Sequence, residues 1–142
     1  MKDRLSDSHR SLPIMLLRAR ETVMRRFRPI LQKHGLSEQQ WRVLRVLNEH
    51  GPAEPSEIAE ASVILNPSLT RILANLEERE LISRSPHESD RRRQIAELTE
   101  QGRNLIAEIT PESTKIYSDL EQSFGREEVH NLMELLRKLA TL

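Results

Sequence analysis

The sequence contains no cysteine, and its 142 residues include only four glycines and four aromatic residues. A chain without cysteine has no disulfide bonds or thiolate metal ligands, and it has no thiol with which to sense peroxide. Basic and acidic residues both number 22, so the formal net charge is zero. Any nucleic-acid-binding surface must therefore come from a local concentration of basic side chains.

Long apolar runs are also missing, and no stretch of the chain is long enough to cross a bilayer. The residues Met1-Lys2-Asp3-Arg4 are not followed by the apolar segment of a signal peptide. We therefore expect a cytoplasmic protein with no membrane partner. The length fits one domain, or one compact unit built around a dimer seam.

Signatures of catalysis are absent from the sequence, which has no GxSxG, GxGxxG, P-loop or HExxH motif. Single histidines are scattered along the chain without metal-ligand spacing, at His9, His34, His50, His87 and His130. The sequence therefore predicts no catalytic residues, no metal site and no cofactor, although proximity in the folded chain stays open.

Apolar residues recur at three- and four-residue steps over much of the chain, which is typical of amphipathic helices. In the first half this spacing predicts helices over residues 11–35, 37–50, 55–62 and 66–79. Ser37 and Gln40 have the spacing of a capping box at the start of the second helix. Asn66 is the predicted N-cap of the fourth helix, with Pro67 at its first helical position.

A hairpin is predicted after these helices, with strands over 82–85 and 93–98 and a turn-rich segment between them. Thr99 is the expected cap of a long helix, and Gly125 separates that helix from a last one. The predicted fold class is mainly α (α+β), a winged helix-turn-helix with flanking dimerisation helices. The expected divisions are an N-terminal dimerisation helix (1–35), a DNA-binding domain (36–98) and C-terminal dimerisation helices (99–142).

Two short helices followed by a basic hairpin suit duplex DNA, because a helix fits the major groove and its first residues reach base edges. The candidate DNA-binding residues are Asn66, Pro67, Ser68, Thr70 and Arg71 at the helix start, with Arg84, Asp90, Arg91, Arg92 and Arg93 on the hairpin. Taken alone, the helix start has another explanation, a simple cap with a solvated arginine. Three adjacent arginines repel one another, however, and this favours an anion nearby. Asp90 is expected to hold one of them, which leaves the others for DNA.

The segment Asp90-Arg91-Arg92, followed by Leu98-Thr99 and Gly102, resembles the D-x-R…L-T-x-x-G signature of the MarR family of repressors. The similarity covers nearly the whole chain. Within the family, the pattern is most similar to repressors of homoprotocatechuate (4-hydroxyphenylacetate) catabolic operons. The segments that carry this finer similarity are 27–29, 38–45, 65–71 and 124–125.

The resemblance implies a triangular dimer in which the first, fifth and sixth helices interlock. It also implies that Arg92 enters the minor groove and that Asp90 orients it. One departure is Glu80, where the family often has glycine. Glu80 must avoid a left-handed backbone or bear its modest cost.

The apolar stripes of the first and last helices also favour a homodimer, because one small three-helix head does not cover them. Packing of the last helix onto the chain's own long helix is the alternative. The candidate interface residues are Leu12, Leu16, Leu132, Leu136 and Leu139. A two-fold dimer would place its reading helices about 34 Å apart, so the expected operator is an imperfect palindrome.

The resemblance further implies a small phenolic or aromatic carboxylate as effector, bound between the dimer base and the reading head. The candidate ligand-binding residues are Arg18, His34, Ser37 and Trp41. Each has a simpler alternative: Trp41 as a core residue, His34 as a helix-end hydrogen-bonding group and Arg18 as a solvated cation.

Two other functions stay open at this point. A transcriptional activator would have the same DNA-binding residues as a repressor. A protein-interaction dimer that does not bind DNA could instead use the basic hairpin to hold an acidic partner.

Overall fold

A computed structural model describes residues 11–142, which are mainly helical with one small hairpin. In this part of the chain the helices are α1 (Leu12–Lys33), α2 (Glu38–His50), α3 (Pro55–Ser62), α4 (Asn66–Glu78), α5 (Glu100–Phe124) and α6 (Arg126–Ala140). Strands β1 (Ile82–Pro86) and β2 (Gln94–Leu98) separate α4 from α5. The predicted fold class is confirmed. Residues 1–10 of the expected segment 1–35 lie outside the described residues.

The capping box predicted at the start of α2 is present. The Ser37 hydroxyl accepts a hydrogen bond from the backbone N–H of Gln40 at 3.1 Å, and the Gln40 side chain accepts one from the Ser37 N–H at 2.9 Å. Two backbone donors of the first turn are thereby satisfied. The beginning of α2 is thus determined by local sequence.

The prediction that Asn66 caps α4 was wrong by one residue. The carbonyl of Leu65 accepts the first helical hydrogen bond, from the N–H of Leu69 at 3.0 Å, so Leu65 is the N-cap. Its side chain makes no capping hydrogen bond. Asn66 and Pro67 are therefore the first two helical residues. The helix begins one residue earlier than predicted, even though asparagine has a better capping side chain than leucine.

The wing is an antiparallel hairpin in which Ile82 pairs with Leu98 and Arg84 with Ala96. Ala96 also exchanges two backbone hydrogen bonds with Ala53, at 3.0 and 2.9 Å. This bridge attaches the hairpin to the segment before α3. The wing is thereby held against the helix-turn-helix formed by α3 and α4, and it does not project as an isolated two-stranded ribbon.

The core lies among α2, α3, α4, the hairpin and the first turns of α5. Apolar side chains from these elements and from the end of α1 form one buried cluster, which includes Leu31, Leu44, Leu47, Ile58, Leu69, Leu73, Leu76, Ile82, Ala96 and Ile109. The predicted inner face of α4 belongs to this cluster. Its burial turns the polar face of α4 outward.

A close backbone crossing joins the end of α4 to the start of α5. The Thr99 hydroxyl accepts a hydrogen bond from the N–H of Gly102 at 3.0 Å and donates one to the Glu80 carbonyl at 2.6 Å. A Cβ atom on Gly102 would lie 2.1 Å from the carbonyl oxygen of Leu81. The spacing of Thr99 and Gly102 in the predicted signature is thus a packing requirement.

Glu80 adopts the left-handed conformation, with φ of 61°. Glu80 thus does not avoid the left-handed backbone, and the chain bears the steric cost of a side chain in that region. The hydrogen bond from Thr99 to its carbonyl holds the turn in place.

The described chain divides into two compact units, one ending at Ile109 and the other beginning at Thr110. The expected segments 1–35, 36–98 and 99–142 follow a different division. In the second unit α6 buries none of its residues. Among residues 11–142, no helix has the length and apolar character needed to cross a bilayer.

Candidate nucleic-acid interface

The start of α4 presents short polar side chains to solvent. Asn66, Pro67, Thr70 and Arg71 are exposed, and Ser68 is half-buried. The Thr70 hydroxyl donates to the Asn66 carbonyl at 3.1 Å. All five predicted residues therefore lie at one end of a helix whose opposite face is fixed in the core.

Arg71 lines a cleft of about 340 Å³ between α4 and the start of α2. Ser68, Ser37 and Gln40 line the same cleft. The Gln40 amide donates a hydrogen bond to the Asn75 side chain at 2.7 Å, which joins the two helices. Within residues 11–142 no carboxylate pairs with Arg71, so its guanidinium is available to an anion.

The wing tip is organised by Asp90. One carboxylate oxygen accepts hydrogen bonds from the backbone N–H of Arg92 at 3.0 Å and from its Nε at 3.2 Å. Both bonds lower the pKa of the Asp90 carboxyl below its usual value, and the bond from the Arg92 side chain has the larger effect. The Arg92 side chain nevertheless remains 92% exposed. Asp90 thus orients Arg92 without covering it.

The other hairpin arginines are not equivalent. Arg93 forms an ion pair with Glu54, and Arg84 pairs with Glu77 at 3.0 Å, which lowers the pKa of the Glu77 carboxyl. Arg91 is exposed and has no ion-pair partner among the described residues. The expectation that Asp90 would leave both other tip arginines free was therefore wrong for Arg93, because Glu54 lies beside it in the fold.

Arg42 is a residue that the sequence reasoning missed. Its Nη1 donates hydrogen bonds to the carbonyls of Ser62 at 2.9 Å and Val63 at 3.4 Å. Its Nε is buried and lacks a hydrogen-bond partner in the described chain. Burial lowers the pKa of this guanidinium. Arg42 thus fixes the loop that leads into α4.

A network of charges lies between α1 and α2. Glu38 accepts hydrogen bonds from Arg20 and Arg28, both at 2.7 Å, and Arg28 also pairs with Glu21. The bond from Arg20 contributes most to lowering the pKa of the Glu38 carboxyl. Glu38 stands one turn before Arg42, but its carboxylate pairs with Arg20 and Arg28. The i, i+4 spacing therefore gave no sequence signal for the bonds of Arg42 to the Ser62 and Val63 carbonyls.

The four predicted effector residues lie in different surroundings in this single chain. His34 lines a cleft of about 270 Å³ with Arg79 and Glu108, whereas Ser37 lines the cleft that holds Arg71. Trp41 is buried in the core cluster. Arg18 is exposed on α1. Neither of these two clefts includes all four residues. None of the described residues forms a group of three or more potential metal ligands.

The predicted dimer residues lie on apolar surface that the described chain leaves uncovered. Leu12 and Leu16 are exposed on α1. On α6, Leu132 and Leu139 are exposed and Leu136 is half-buried. The helix α6 is amphipathic, and none of its apolar residues is fully buried.

Residues 36–93, which include α2, α3, α4, β1 and the wing tip but not β2, match the MarR family. Over 134 residues the chain is 40% identical to the HTH-type transcriptional regulator FarR of Neisseria gonorrhoeae, covering 94% of this chain and 92% of that protein. It is 37% identical over 134 residues to the homoprotocatechuate degradative operon repressor of Escherichia coli, covering 94% of this chain and 90% of the repressor.

Solved structures agree with these similarities. NadR in complex with 4-hydroxyphenylacetate has a TM-score of 0.84 at 40% identity, covering 93% of this chain and 94% of NadR. The repressor CouR bound to a 23-mer DNA duplex has a TM-score of 0.85 at 31% identity, covering 96% of this chain and 94% of CouR. The chain belongs to the MarR family of transcription regulators, which are DNA-binding proteins and not enzymes.

Proposed function

We propose that this protein is a cytoplasmic transcriptional repressor that binds a palindromic operator as a homodimer and is released by a small phenolic acid. The observation that carries the DNA-binding part is the wing tip, where Asp90 holds an otherwise exposed Arg92 in one orientation. A guanidinium oriented in this way suits the narrow, negative minor groove of duplex DNA. The similar repressor CouR is solved bound to a DNA duplex, which supports the same assignment.

Each half of the operator would meet two parts of one subunit. The start of α4 would enter the major groove, where Ser68 and Arg71 read base edges or phosphates. The wing would place Arg92 in the adjacent minor groove and Arg91 on the phosphate backbone. The pairs Arg84–Glu77 and Arg93–Glu54 would fix the wing relative to α3 and α4.

The operator can be obtained by selection from random duplexes with the purified protein. We expect Arg92→Ala and Arg71→Ala each to weaken binding about tenfold, within the range of a lost base or phosphate contact. Arg137→Ala on α6 removes the same charge outside the proposed surface and should leave affinity unchanged. Affinity should also fall steeply with salt, because phosphate contacts release counterions. Full affinity in both surface variants would refute the proposed interface.

The homodimer is proposed from the uncovered apolar stripe of α6. Leu132 and Met133 are 42% and 45% exposed in the single chain. A partner subunit packed on α6 would remove this apolar surface from water. Leu132→Glu should lower the mass measured by light scattering from dimer to monomer. It should also abolish tight binding to the palindrome. Arg137→Ala again serves as the control. A monomeric wild-type protein would contradict this part of the proposal.

The effector is proposed from the relatives, since NadR is solved with 4-hydroxyphenylacetate and another relative represses a homoprotocatechuate operon. Adding 4-hydroxyphenylacetate or homoprotocatechuate to the operator complex should release DNA. Cyclohexylacetate, which keeps the carboxylate but lacks the aromatic ring, should not. Release requires that the ligand prefer a dimer whose reading helices are wrongly spaced. Absence of release and of calorimetric binding would remove the effector and leave DNA binding intact.

A reporter assay decides between repression and activation. With the selected operator placed across a promoter, the protein should lower transcription, and the phenolic acid should restore it. Higher transcription in the presence of the protein would identify an activator instead.

A further inference from the structure

Two exposed apolar side chains precede α4. Val63 is 82% exposed and Leu65 is 80% exposed, and among large apolar residues of the described chain only the C-terminal Leu142 exceeds them. Ile64, which lies between them, packs against the core. The loop thus turns one apolar residue inward and holds two in water.

The loop adopts this arrangement against local preference. Val63 lies in the left-handed region, with φ of 56° and ψ of 53°, where a β-branched side chain is rarely found. Leu65 occupies the N-cap of α4, where a serine or asparagine would satisfy a backbone donor and leucine does not. Strained backbone of this kind persists where the surrounding structure enforces it and is frequent at functional sites.

The loop is also firmly held. The Arg42 guanidinium bonds to the carbonyls of Ser62 and Val63, and the N–H of Ile64 donates to the Ala59 carbonyl at 3.0 Å. The exposure of Val63 and Leu65 is therefore a feature of an anchored turn. A rigid apolar pair loses little conformational freedom when it is buried by a partner.

We propose that Val63 and Leu65 contact the C5-methyl groups of thymines in the major groove and so contribute to operator specificity, with Arg42 as their positioning residue. This inference rests on the proposed operator binding. Leu65 directly precedes the helix start that would enter the groove, so the pair is continuous with that surface. The thymine methyl is the apolar group that base edges offer there. Phosphate groups are charged and offer no apolar surface that valine or leucine could contact.

The test replaces thymine by deoxyuridine, which lacks only the methyl group, at each thymine of the selected operator. For the wild-type protein we expect one or more positions in each half-site at which this change weakens binding about fourfold, the factor for one buried methyl. Leu65→Ala or Val63→Ala should weaken binding to the thymine operator by a similar factor. Deoxyuridine at the matching position should then have no further effect.

Arg92→Ala provides the matched control, because it should weaken binding to both duplexes and keep the preference for thymine. Circular dichroism should show that the alanine variants at exposed positions 63 and 65 remain folded. The inference is overturned if deoxyuridine changes wild-type affinity at no position, or if both alanine variants keep the full preference. A protein that selects no DNA sequence at all would overturn the proposed function as well.

Discussion

Replacing Gly102 by alanine would place a methyl carbon 2.1 Å from the carbonyl oxygen of Leu81. The obstacle is backbone, which no side-chain rotation can relieve. The same carbonyl accepts a hydrogen bond from the N–H of Thr99 at 3.1 Å. We therefore expect Gly102→Ala to separate the start of α5 from the segment after α4.

The magnitude follows from three contributions. Forcing an extra carbon into a packed contact costs about 1–3 kcal/mol. Loss of the hydrogen bond from Thr99 to Leu81 costs about 1 kcal/mol. Alanine gains about 1 kcal/mol over glycine inside a helix. The expected net loss in the free energy of unfolding is about 2 kcal/mol.

Urea unfolding followed by far-UV circular dichroism, at one fixed protein concentration, measures this loss. Ala107→Gly, at an exposed position of the same helix, is the control for helix propensity and should cost about 1 kcal/mol. If Gly102→Ala is as stable as the wild type or more stable, helix propensity outweighs the crossing and the packing argument is refuted.

Three further substitutions test local features. Glu80→Gly should raise the free energy of unfolding by about 0.5–1 kcal/mol, because glycine bears φ of 61° without steric cost; a loss would refute this. Ser37→Ala should lower it by about 1 kcal/mol through loss of the bond from Gln40, whereas unchanged stability would show that water replaces the cap. The ion pair with Arg20 lowers the pKa of the Glu38 carboxyl below its usual value. The stabilisation from this pair is therefore present above that usual value and should be lost as the pH falls through the lowered pKa. Urea unfolding of Glu38→Gln between pH 3 and pH 7 should therefore show a weaker dependence on pH than the wild type, and parallel curves would contradict it.

The order of helices and hairpin could be predicted from the sequence because periodicity, caps and turns act between residues a few positions apart. Ser37 and Gln40 form their capping box as predicted, and Thr99 caps α5 through the N–H of Gly102. Asp90 and Arg92 are two residues apart, so their pairing was also within reach of local reasoning. The fold class followed from such short-range rules, whereas the orientation of Arg92 by Asp90 was implied by the resemblance to the MarR family.

The tertiary structure decided which charged groups remain available to a partner. Arg91 and Arg93 are alike in sequence, yet Glu54, 39 positions away, pairs with Arg93 and leaves Arg91 free among the described residues. Arg42 likewise reaches the loop before α4 across 20 residues. Ion pairing and burial depend on distances through space, which the order of residues along the chain does not contain.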